Sequence, residues 1–188
     1  AAVQFHHRLL GMAVALLAVL LWRGSRGVPL PDGSRAPLAA LALLLALNRR
    51  LLAYHRQVQV DHSWRWNEIT GLKRLAGQTL GLIGFGRIGQ AVGRRALGFG
   101  LSVLACDPLM DAPAIERHGA RAAGFDELLA ASDIISLHCN LDASSRGLLN
   151  RAALARMRRK PLLLNVARGA LIVEADLVEA LDRGLIAG

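Results

Sequence analysis

Thr79-Leu80-Gly81-Leu82-Ile83-Gly84-Phe85-Gly86-Arg87-Ile88-Gly89 is the stretch that decides how this chain folds. A short apolar run leads into three glycines spaced G-x-G-x-x-G, and an amphipathic segment, Ile88 to Phe99, follows. That order reads as strand, tight turn and helix. Gly84 permits the turn, Gly86 lets backbone approach a ligand closely, and Gly89 lets the helix pack on the strand. The N–H groups of Arg87 and Ile88 then face outward at the positive end of the helix dipole, a seat for a diphosphate. The next apolar run, Ser102 to Cys106, ends in Asp107, 18 residues past Gly89. An acid at that place accepts hydrogen bonds from adenosine ribose hydroxyls. The cofactor expected is therefore a dinucleotide. Asp107 would repel the 2′-phosphate of NADP, and Pro108, Leu109 and Met110 offer no Arg to receive it, so NAD is the expectation.

Outward from this turn, strands and helices alternate. Helices are expected at Pro113 to His118, Phe125 to Ala131, Asn150 to Met157 and Glu174 to Arg183. Strands are expected at Asp133 to His138 and Leu162 to Val166, with another beginning at Leu185-Ile186-Ala187. The alternation implies an α/β, Rossmann-type doubly wound parallel sheet. Upstream, residues 28–37 read as a loop, and Leu38 to about Gln57 as one long packed helix. His62 to Gly71, with Trp64 and Trp66, reads as a loop or a short helix.

Bulk properties narrow the class. Of 188 residues 53% are hydrophobic, above the usual 45–50% or so, and aromatics make up only 4%. Net charge is +9, with Arg supplying 21 of 23 basic residues. The basic groups are scattered, apart from short runs such as Arg156-Met157-Arg158-Arg159-Lys160, and no aromatic-laced stripe marks a nucleic-acid surface. Cys106 and Cys139 form neither a disulfide framework nor a metal-ligand spacing, which fits a reducing cytoplasm. Leu9 to Trp22 is uncharged over fourteen residues, short of the roughly 20 a spanning helix needs. It reads as a buried element or as a membrane or signal segment, and no membrane partner is expected.

Two stretches carry a family resemblance. Leu75-Ala76-Gly77-Gln78-Thr79-Leu80-Gly81-Leu82-Ile83-Gly84-Phe85-Gly86-Arg87-Ile88-Gly89-Gln90-Ala91-Val92 and Asn165-Val166-Ala167-Arg168-Gly169-Ala170-Leu171-Ile172-Val173-Glu174 resemble the D-isomer-specific 2-hydroxyacid dehydrogenases. The likeness runs from about Trp64 to Gly188. Leu137-His138-Cys139-Asn140-Leu141, with Asn where most relatives have Pro, and Trp64-Arg65-Trp66 are more similar to the C-terminal-binding-protein branch. In animals that branch includes NAD-sensing corepressors, which gives an alternative function without turnover.

The resemblance implies further site residues. His138, Cys139 and Asn140 would lie beside the adenine. Ser145 stands where the family commonly has Thr, near the cofactor phosphates or nicotinamide ribose. Val166, Ala167 and Arg168 would line the cofactor, the first two meeting the nicotinamide side through their backbone, and Arg168 would also be the catalytic arginine. Arg168 also has an independent rationale: it follows a strand, at the edge where open α/β sheets bind ligands. A planar guanidinium can fork onto the carboxylate of a 2-oxo acid and polarise its carbonyl. His6, His7, His55, His62 and His118 have no partner acid at a telling spacing.

The resemblance also marks departures. The family completes its site with a Glu and a His downstream of a Leu-Asp-Val run expected after Ala187-Gly188, so neither is assigned here. The chain lacks an initiator Met and stops inside a strand-like run, so it is read as a fragment, better equipped to bind NAD than to turn over substrate. Residues 1–36 are read as a partial substrate domain and residues 37–188 as the NAD-binding domain with its interdomain helix. The family's amino-terminal Gly-x-Gly turn and two Asp residues have no match in Gly11-Met12-Ala13-Val14-Ala15-Leu16-Leu17-Ala18, and Ala40 replaces an acid or His of the long helix. The implied partners are a small 2-hydroxy or 2-oxo acid and a second copy of the chain.

Overall fold

The computed structural model describes residues 35–65 and 67–188. The expectations for Leu9 to Trp22, for the Gly11 stretch and for Trp66 lie outside the described residues, as does nearly all of the proposed substrate-domain remnant.

Five parallel strands form one sheet in the order β3-β2-β1-β4-β5. They are β1 (Thr79–Ile83), β2 (Ser102–Cys106), β3 (Arg121–Ala122), β4 (Ile134–Leu137) and β5 (Leu162–Asn165). The helices are α1 (Arg35–Asn48), α2 (Leu51–Gln59), α3 (Arg87–Gly98), α4 (Ala112–Glu116), α5 (Phe125–Ala131), α6 (Arg151–Ala155) and α7 (Glu174–Asp182). Because β1 is central, successive strands are laid outward first on one side and then on the other. The order reverses between β1 and β4, and that reversal opens a crevice at the carboxyl ends of the strands.

The period-two pattern of β1 divides the core. Leu80 and Leu82 face a cluster with Ala40, Leu41 and Leu44 of α1 and Val92 and Ala96 of α3. Ile83 faces the other cluster, with Leu128 and Leu129 of α5, Ile135 and Leu137 of β4, and Leu154 of α6. Each fully buried Leu contributes about 1.5–3 kcal/mol from apolar burial, so both faces of the sheet are anchored.

Three sequence expectations change. The helix expected from Leu38 to Gln57 is two helices, bent by 60° at Arg49-Arg50. Asn48 is buried and donates from Nδ2 to the Lys73 carbonyl, while its Oδ1 accepts from Gln78 Nε2. Arg50 then takes a left-handed turn, φ 49°. The first helix also begins at Arg35, inside the expected loop. Finally, Leu185 to Ala187 form no strand. Leu185 N–H donates back to Ala180 to close α7, and only then does Ala187 N–H reach the Pro161 carbonyl beside β5. The two-residue β3 was too short to show any periodicity.

Among the described residues no single helix is long and apolar enough to cross a membrane; α1 and α2 pass on length and composition only as a bent pair.

Lys160 also sits in the left-handed region, φ 50°, just before Pro161. An L side chain costs about 1–2 kcal/mol there, and glycine returns part of that through its unfolded-state freedom. Lys160→Gly is expected to stabilise the fold by about 1 kcal/mol, raising Tm by roughly 2–4 °C in thermal denaturation. An unchanged or lower Tm would contradict the strain.

Candidate functional site

Four loops meet at the carboxyl edge of the sheet. The glycine turn leaves β1, Asp107 follows β2, residues 138–145 follow β4, and Val166 to Arg168 follow β5. The registers Ile83↔Cys106 and Ile83↔Leu137 set the ends of the three inner strands level, so these loops start from one line.

The three glycines have different physical tasks. Gly84 has φ +88°, and a Cβ there would lie 2.5 Å from the Cys139 backbone nitrogen. The turn after β1 thus presses directly on the loop after β4. A Cβ on Gly89 would overlap the Gly84 carbonyl oxygen, so α3 can start this close to the turn only with Gly89 bare. At Gly86 a Cβ would meet nothing within 4 Å. Its smallness answers no contact inside the protein and keeps open the space before the first turn of α3. Gly86 is the N-cap of α3, with no side-chain cap, and the N–H groups of Arg87, Ile88 and Gly89 have no partner within the helix. Unpaired N–H groups at the positive end of a helix suit the charge and acceptor oxygens of a phosphate group.

Asp107 braces the turn. Its Oδ2 accepts from Phe85 N–H at 2.7 Å and its Oδ1 from Leu109 N–H at 2.9 Å. A carboxylate has about four acceptor positions, so it retains capacity for two ribose hydroxyls. Gln90 Nε2 donates to the Phe85 carbonyl, fixing the next peptide of the turn, so Phe85 is held through both its N–H and its C=O.

The loop after β4 is held by its own hydrogen bonds. Ser145 Oγ donates to the Asn140 carbonyl at 2.7 Å and accepts from Asp142 N–H at 2.8 Å. Asp142 Oδ1 accepts from Ser144 N–H, Ser144 Oγ and Ser145 N–H. The Ser144 hydroxyl, followed by the backbone donors, holds the Asp142 carboxyl below the usual carboxylate range. The hydroxyl of Ser145 is thus engaged within its loop, and its part in the site is to shape residues 140–145. His138 Nε2 lies 2.9 Å from Ser136 Oγ, while its Nδ1 is buried without a partner among the described residues. Burial lowers the imidazole to about 4, so the ring is neutral near pH 7. Cys139 is half-buried, and burial raises its thiol. The side chain of Asn140 is exposed.

Beyond β5, Val166 packs against the α1 side of the core and Ala167 against the α5 side. Arg168 is exposed, and its Nη1 donates to the Ala167 carbonyl at 3.0 Å. No acid is paired with Arg168 among the described residues, so its fork is open to a carboxylate ligand. Sequence reading missed Asn165, Gln90 and Asp142. Each acts on backbone it bonds to; Asn165 and Asp142 carried the local signal of an Asx turn, a side-chain oxygen taking the N–H two residues on, and Gln90 carried none.

The loops after β4 and β5 are laced together. Gly147 N–H donates to the Ala170 carbonyl, Leu149 N–H to Leu171, and Val173 N–H back to Leu149. Cavities lined by Asn48, Arg50, Lys73 and Gln78, and by Arg151, Asp176 and Glu179, lie away from this edge.

Comparison with known proteins bears on this geometry. Residues 41–188 match the family model described as D-isomer specific 2-hydroxyacid dehydrogenase, NAD binding domain. A hydroxypyruvate reductase of Blautia hydrogenotrophica is 41% identical over 153 residues, covering 79% of this chain and 47% of that protein. The apo structure of D-lactate dehydrogenase from Escherichia coli superposes with a TM-score of 0.76 at 35% identity, covering 86% of this chain and 51% of that one. An NAD-complexed D-isomer specific 2-hydroxyacid dehydrogenase from Lactobacillus delbrueckii gives 0.74 at 30% identity, covering 86% and 48%. The chain therefore spans about half the length of these proteins.

Proposed function

We propose, because the chain belongs to the D-isomer-specific 2-hydroxyacid dehydrogenase family through its NAD-binding domain, that it serves an NAD-dependent oxidoreductase acting on a small 2-hydroxy or 2-oxo acid. The carrying observation is the convergence of the Gly86 opening, Asp107 and an unpaired Arg168 on one sheet edge. When bound, the nicotinamide gives or takes the hydride at the substrate's C2. The chain's own residues do the holding. The first-turn N–H groups of α3 would take the diphosphate and Asp107 the adenosine ribose. His138, Cys139, Asn140 and the loop shaped by Ser145 would wall the cofactor, with Val166 and Ala167 along the nicotinamide side. Arg168 would bind the substrate carboxylate and draw electron density from the carbonyl. The family's Glu and His are assigned to no residue here, and residues 37–188 are proposed as the cofactor domain. The exposed Leu43 of α1 and Leu51 and Leu52 of α2 support pairing of two copies through these helices.

The test is a fluorescence titration with NADH and NADPH. Asp107 would meet the 2′ position with a carboxylate, so NADH is expected to bind at least about tenfold more tightly, ~1.4 kcal/mol. Asp107→Ser should narrow that gap, mainly by weakening NADH. Equal binding of both, or preference for NADPH, would refute the cofactor assignment. Tight NADH binding without oxidation of NADH by any 2-oxo acid in the whole reading frame would favour the corepressor-like reading that Asn140 motivates.

A further inference from the structure

We propose that Asn165 is a positioning residue for Arg168, acting through a carboxamide that grips the peptide backbone on both sides of residue 167. The inference rests on the function just proposed for Arg168. Asn165 ends β5, the last point at which the sheet ladder fixes the chain. From there its Oδ1 accepts from Ala167 N–H at 3.0 Å, and its Nδ2 donates to the Arg168 carbonyl at 2.9 Å. The Arg168 carbonyl also accepts from Leu171 N–H at 3.2 Å, which starts the one-turn 3-10 helix Gly169–Leu171. The guanidinium closes the group by donating to the Ala167 carbonyl. The N–H and carbonyl of Ala167 and the carbonyl of Arg168 are therefore held, within three residues of the end of β5.

The chemistry requires Asn at this position. A carboxamide carries a donor and an acceptor on one rigid plane. Asp offers two acceptors, so one oxygen would oppose the Arg168 carbonyl, and its charge would pull the guanidinium inward. Ala offers neither. The bonds reach backbone alone, so they set where the Arg168 side chain starts and leave its head free for a ligand. Misplacing such a group by about 1 Å can weaken its action up to ~100-fold.

Two measurements test the proposal. Amide hydrogen exchange reads the clamp without a ligand. In Asn165→Ala the Ala167 and Leu171 amides should exchange at least about tenfold faster while β1 and β4 amides keep their rates; unchanged Ala167 and Leu171 rates overturn the proposal. The second uses NADH-loaded protein carrying the whole reading frame and oxamate, a non-reducible isostere of a 2-oxo acid. Asn165→Asp should leave the NADH Kd within about twofold and weaken oxamate at least about tenfold. On an Arg168→Ala background the same change should add less than about twofold, since both residues serve one contact. A purely structural role predicts instead that NADH and oxamate weaken together, or that the two losses multiply, and either result overturns the proposal. Oxamate failing to bind the NADH-loaded wild type would overturn the functional reading along with it. Oxamate binding that ignores Asn165→Asp would overturn the proposal alone.

Discussion

Gly84→Ala is expected to lose roughly 3–5 kcal/mol of stability, enough to unfold much of the population at 37 °C, whereas Gly86→Ala should fold normally and bind NADH poorly. The difference follows from what each added methyl meets. At Gly84 the backbone is left-handed, which disfavours an L side chain, and the methyl is driven into the Cys139 backbone. Strain and overpacking each cost about 1–3 kcal/mol, and neither neighbour is a flexible side-chain end. Gly89→Ala should behave like Gly84→Ala, because its methyl meets a carbonyl oxygen of the same turn. At Gly86 the methyl enters open space, so stability should change by less than about 1 kcal/mol. That space is where a diphosphate would approach the α3 amides, so NADH affinity should fall by roughly 10- to 100-fold. Chemical denaturation and NADH titration of the three variants check the pattern. A Gly86→Ala protein that binds NADH like the wild type would remove the diphosphate from this turn.

Arg168→Ala is expected to lower kcat/KM for a 2-oxo acid by roughly 10³-fold, about 4 kcal/mol, in protein carrying the whole reading frame. Two contributions are removed together: the forked, charge-assisted hydrogen bonds to the carboxylate and the polarisation of the carbonyl as charge builds on its oxygen. Arg168→Lys should recover only part of the loss, since an ammonium keeps the charge without the planar fork. The NADH Kd should stay within about threefold in both variants, because the proposed diphosphate and adenosine ribose seats are on the first turn of α3 and on Asp107. Steady-state kinetics and NADH titration separate the two effects. An unchanged kcat/KM would take Arg168 out of the mechanism.

The cofactor edge was legible because its signals are local. An apolar run, three glycines at fixed spacing and an acid at the end of the next apolar run lie within 29 residues, Thr79 to Asp107, and the sheet closes them on one line. The break between α1 and α2 was not legible. No Gly or Pro marks it; its cause is the burial of Asn48 against Lys73 and Gln78, 25 and 30 residues downstream. Ser145 shows a third case. Resemblance placed it near the cofactor, but which atom its hydroxyl serves depends on the course of its loop, and here that atom is the Asn140 carbonyl. Asn165 was visible as a letter of a motif, yet its task lies in bonds to backbone that a sequence does not display.

The carboxylate of Asp107 has a consequence for how this scaffold could be altered. The side chain that would select against a 2′-phosphate also ties down the Phe85 and Leu109 amides. Recoding the chain for the phosphorylated dinucleotide is therefore a two-step problem. A substitution that welcomes the extra phosphate simultaneously unties the turn, leaving two amides in need of a new acceptor. Selectivity can drift only alongside a second change that restores an oxygen at the tip of β2, so an engineered switch should be built as a pair from the outset.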